Sequence, residues 1–105
     1  MEQALRKIVA QHAAAVSVLA EIRAREQETE RIFSDQARLR ENLKSLKGSA
    51  EEQALAQRYT RQLDEQESRL EDLRGKMSQL QERYQLIQSE LIRMAEGITL
   101  DVRPE

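Results

Sequence analysis

From Tyr59 onward, apolar residues recur at alternating steps of four and three: Tyr59, Leu63, Gln66, Leu70, Leu73, Met77, Leu80, Tyr84, Ile87, Leu91 and Met94. A repeat averaging 3.5 residues is the seam of a helix packed along a second helix. With Leu63, Leu70, Met77, Tyr84 and Leu91 at heptad position a, the others fall on d. Gly75 lands on the outer f position, where it weakens helix propensity but disturbs no packing. Counting back from Leu46 gives a second seam: Leu43, Leu39, Gln36, Ile32, Thr29, Arg25, Ile22, Val18, Ala15, Gln11, Ile8 and Ala4. It is the weaker of the two, because nearly everything from Arg23 to Arg31 is polar.

The two seams are out of phase. Leu46 and Tyr59 are 13 residues apart, one short of two heptads. Between them the chain carries a stop signal followed by a start signal. Gly48 follows Lys44 and Lys47, as a glycine does just past a helix C-terminus. Ser49 and Glu52 have the spacing of a capping box, and Glu51 adds negative charge to the new first turn. The pattern predicts an all-α, antiparallel two-helix coiled-coil hairpin occupying 1–97. Its helices run over about 2–46 and 50–96, with a turn at 47–49.

Charge placement sets a register. In an antiparallel pair, g positions face g positions. Folding about Lys47–Gly48 places Glu28 against Arg69 and Glu21 against Lys76, while Glu26 and Arg74 meet on the e flank. The same register predicts core layers of Ile32 with Leu63, Ile22 with Leu73, Val18 with Met77 and Ile8 with Ile87. Thr29 and Gln66 then share one polar layer. Beyond Gly97, read as a helix stop, residues 98–105 form a tail that is strand-like, because Ile98, Leu100 and Val102 alternate with polar residues, or else disordered.

Composition agrees with long helices. Of 105 residues, 34% are charged and 3% aromatic, with one proline and three glycines, too few turn-formers for an all-β fold. The net charge of −2 gives no global attraction to nucleic acid or an anionic surface. The basic row Arg69, Lys76 and Arg83 could carry a nucleic-acid arm, but Glu28 and Glu21 oppose two of its members. Without cysteine there is neither a disulfide nor a thiolate metal site. The charge-free run from Ile8 to Ala20 is too short to span a bilayer, and its flanks are not those of a signal peptide. No compartment is indicated. His12 is the single histidine, on the e flank of an alanine-rich stretch, and lacks the converging ligands that a metal needs. No phosphate loop or nucleophile motif is present. The expectation is no enzyme activity, no cofactor, no metal, no nucleic acid and no membrane insertion.

One feature exceeds what a two-helix seam requires. Leu5, Val9, His12, Val16, Leu19 and, further on, Phe33 lie on the flank beside the first seam. Either they broaden the hairpin core near its open end, or they form a contact surface for a further helix. The contact would be a homodimer forming a four-helix bundle, or docking onto a parent domain.

The stretch 32–80 resembles the helical segment of a bacterial mucoidy-inhibitor-like family whose function is undefined. The likeness is carried by Gln36, Arg38, Leu39, Arg40, Glu41 and Asn42, then by Arg58–Tyr59 and Gln66–Glu67. The resemblance implies a coiled-coil element attached to a β-rich body, and supplies no activity and no site residues. The expected function is a non-catalytic structural or protein-interaction module cut from a larger bacterial protein. The alternatives are a free-standing helical adaptor or export-type chaperone, and a nucleic-acid-binding coiled-coil arm.

Overall fold

The computed structural model describes residues 2–101. The chain is an all-α helical hairpin of two antiparallel helices, α1 (Glu2–Lys44) and α2 (Ala50–Asp101). Every seam position from Ala4 to Leu46 and from Tyr59 to Met94 is buried or half-buried. Periodic burial of this kind, more than intrinsic propensity, stabilises helices of such length.

α1 ends two residues before the expected boundary. The hydroxyl of Ser45 donates to the carbonyls of Glu41 (3.1 Å) and Asn42 (3.2 Å), competing with the helical ladder. The next two amides close tighter i to i−3 bonds, Ser45 N to Asn42 O and Leu46 N to Leu43 O, both 3.2 Å. Gly48 therefore lies within the loop rather than directly at the helix end. Its φ of 89° is the one positive value among the described residues, a conformation glycine adopts without strain. Ser49 Oγ accepts from Glu52 N (3.1 Å), and the Glu52 carboxylate accepts from the amides of Ser49 (3.2 Å) and Lys47 (2.8 Å). Both halves of a capping box are thus made.

Gly97 does not stop α2, and residues 98–101 are helical rather than strand-like. The seam explains this. Ile98 continues the four-residue step from Met94 and is half-buried, so packing outweighs a glycine penalty of about 1 kcal/mol. The expected tail beyond Asp101 lies outside the described residues.

Two compact units divide the chain, one of Met1–Ala24 with Met77–Glu105 and the other of Arg25–Lys76. In the first, Ala15, Val18, Ile22 and Ile87 are buried, with Ala14, Met77, Leu80, Tyr84 and Leu91 packed around them. Val18 and Met77 share this cluster. Ile22 and Ile87 belong to the same cluster. In the second unit Leu39, Leu70 and Leu73 are buried to 2% exposure or less, together with Gln36.

Candidate interaction surface

In the unit of 25–76, polar groups tie the two helices together. Arg69 grips Glu28 with two prongs, Nε to Oε2 at 2.5 Å and Nη2 to Oε1 at 2.9 Å, and Arg25 lies 3.5 Å from the same carboxylate. The Arg69 hydrogen bond, with the nearby positive charge, holds the Glu28 carboxyl below its ordinary range and raises Arg69 in return. Thr29 and Gln66, expected to share one polar layer, do not hydrogen-bond to each other. Thr29 Oγ1 donates to its own helix at Arg25 O (2.9 Å), within easy reach one turn back. Gln66 Nε2 donates to Asp35 Oδ2 (2.5 Å), and Gln36 Nε2 to Glu67 Oε1 (2.9 Å). Gln66 Oε1 is buried with no partner. Asp35 is held below its ordinary pKa chiefly by the Arg38 hydrogen bond, with a smaller contribution from Gln66. Among the described residues no ion pair joins Glu26 to Arg74, and neither Glu21 nor Lys76 carries one.

The flank stripe lies on the outer surface of α1. Leu5, Val9 and Val16 are 49%, 67% and 53% exposed, His12 is exposed and Leu19 is half-buried. These residues occupy e and b positions in steps of four and three, so they form a second seam turned about 100° from the first. Phe33, 51% exposed, lies on the same heptad flank in the other unit. Arg23, Glu26 and Glu30 fill the intervening e and b positions, so the apolar stripe stops at Leu19.

The sequence reading missed the contribution of α2. In an antiparallel pair the two e flanks lie on one side. The e and b positions of α2 in this unit run Ser78, Gln81, Gln85, Gln88 and Ile92, none charged, with Ile92 60% exposed. Gln88 Nε2 donates to Tyr84 Oη at 2.6 Å. One flat side of the 1–24 and 77–105 unit is therefore free of charge between Glu2 and Arg23 on α1 and from Ser78 to Ile92 on α2. The opposite side carries Lys7, Glu21, Arg83, Glu90 and Arg93 around the exposed Leu86, and Arg93 pairs with Glu90 there. Writing the e and b positions of both helices side by side would have found this segregation.

Such a face offers apolar contact and amide hydrogen bonds. Among the described residues no group of His, Asp and Glu is arranged to hold a metal ion, and no helix is long and apolar enough to cross a membrane. No family model, no curated protein and no solved structure matches the chain.

Proposed function

We propose that this hairpin is a non-catalytic structural and protein-interaction module that works through the uncharged side built on Leu5, Val9, His12, Val16 and Leu19. The observation that carries the reading is the division of labour on α1. One seam is consumed within the hairpin, while a second seam of the same spacing is left at the surface, three of its side chains about half exposed or more. Apolar residues at heptad spacing beside a completed seam are what a further helix packs against. The engagement of Arg69 by Glu28 weighs against a nucleic-acid arm, since it neutralises part of the basic row. Kinship with the mucoidy-inhibitor-like family is proposed on the residues around Gln36–Asn42 and Gln66–Glu67.

The test is site-specific photo-crosslinking in living cells, with a photoreactive amino acid at Val9, Val16 or, as control, Arg40. Protein adducts at Val9 and Val16 but not at Arg40 are expected. Equal yields at all three sites, or none, would refute an interaction role for this side.

A further inference from the structure

We infer that the partner covering this face is a second copy of the chain, related by a two-fold axis that sets α1 antiparallel to the partner's α1 and α2 antiparallel to the partner's α2. The inference rests on the interaction reading above and names its occupant. Three observations select a like partner. First, between Glu2 and Arg23 the face carries no charge, so the paired stretch from Val9 to Leu19 brings no like charges together, whereas the other flat side would bring mixed charges together. Second, the stripe is self-complementary. From Val9 to Leu19 its steps are 3-4-3, which read alike in both directions, so reversing one copy restores knob-to-hole spacing. Third, the face is divided lengthwise into an apolar row on α1 and a glutamine-rich row on α2. With α1 on α1, leucine and valine meet leucine and valine, and glutamine amides meet amides that can both donate and accept. Placing α1 on the partner's α2 would instead bury the amides of Gln81, Gln85 and Gln88 against aliphatic side chains, where they would lack partners.

The axis then passes between His12 and Val16. Val9 packs on the partner's Leu19, His12 on the partner's Val16, and Leu5 beside the aliphatic stem of the partner's Arg23. The stripe from Leu5 to Leu19 spans about 21 Å at ~1.5 Å per residue. Two helices of that length bury on the order of 1,000 Å² in total, the lower edge of a specific interface. A reversible association is expected rather than an obligate one.

Sedimentation equilibrium and pulsed electron-spin distance measurement test this together. The absence of cysteine makes a single spin label at Glu2→Cys unambiguous. The expected result is a species of twice 12.2 kDa, with labels about 36 Å apart, from ~1.5 Å per residue over the antiparallel offset. Val9→Glu should raise the dissociation constant on the order of a hundredfold, since it sets a carboxylate against the partner's Leu19 without a polar partner. Its helix content should stay intact because Val9 is exposed. Phe33→Glu, beyond the charged interruption, should leave association unchanged. Labels within about 20 Å would place the α1 helices side by side at the same level and overturn the antiparallel arrangement, given that packed helices lie ~10 Å apart. A 12.2 kDa species persisting to millimolar concentration would overturn self-association. Crosslinks from Val9 and Val16 to a different protein would in that case still uphold the interaction reading.

Discussion

Replacing Gln66 with leucine should make the protein more stable. Gln66 occupies a d position of the α2 seam and is half-buried, and its Oε1 is buried without a partner. An orphaned buried acceptor costs about 1–3 kcal/mol. Gln66→Leu removes it and adds apolar surface to a site already shielded from water, which contributes roughly a further 1 kcal/mol. Against this stands the lost hydrogen bond to the half-exposed Asp35 carboxylate, about 1.5 kcal/mol net. Asp35 suffers little, because it keeps Arg38 at 2.8 Å and its side chain is 41% exposed, so water replaces the amide. The balance is a stabilisation of about 0.5–2.5 kcal/mol, or roughly 2–20 °C in Tm for a domain of this size. Urea denaturation followed by circular dichroism at fixed protein concentration measures it. A nuclear magnetic resonance titration supplies an independent readout. Asp35 should move up toward its ordinary value of 3.8 while remaining below it, because its Arg38 contact survives. Destabilisation by 1 kcal/mol or more would refute the reasoning, since it would mean that Oε1 is satisfied in solution. A fall in the denaturant slope would show instead that the polar residue is needed for a single pairing register.

Other substitutions separate packing from backbone effects. Leu39→Ala, at a fully buried position, should cost about 2–5 kcal/mol in the same denaturation assay. The three glycines should divide by conformation, because beyond the adjoining residues and local helix backbone nothing lies within 4 Å of a Cβ at any of them. Gly48→Ala should destabilise by about 1–2 kcal/mol because its φ is left-handed, whereas Gly75→Ala and Gly97→Ala, both inside α2, should each stabilise by about 0.5–1 kcal/mol. Acid should loosen the hairpin. Glu28 is depressed mainly by the Arg69 hydrogen bond, Asp35 by that of Arg38, and Glu52 by the Lys47 amide. A depressed carboxyl contributes stability above its unfolded pKa and loses it as pH falls through the folded value. Tm should therefore be level in neutral solution and decline below about pH 4.5, the ordinary value of Glu28 and Glu52. Glu28→Gln should flatten part of that decline, and an unchanged profile would detach the pair from stability.

The seams, the turn and its capping were legible in the chain because they depend on local relations. A side chain's burial follows from its heptad phase, so even Thr29, Arg25 and Gln11 lie against the seam. Ser49 reaches Glu52 because three residues separate them at any helix start. What only the tertiary structure decided was longitudinal. Seams of aliphatic residues pack acceptably at more than one offset, so the heptad pattern alone does not fix which core side chains oppose one another. Long polar side chains reach along the helix as well as across it, so Gln66 binds Asp35 and Gln36 binds Glu67, instead of the partners directly opposite. Gly97 stays helical because Ile98 is half-buried on the seam, an interaction outweighing a local preference. The charge-free side belongs to both kinds of information. Its residues were visible one helix at a time, but the rows of α1 and α2 make one surface only when the helices lie antiparallel with their e flanks on the same side.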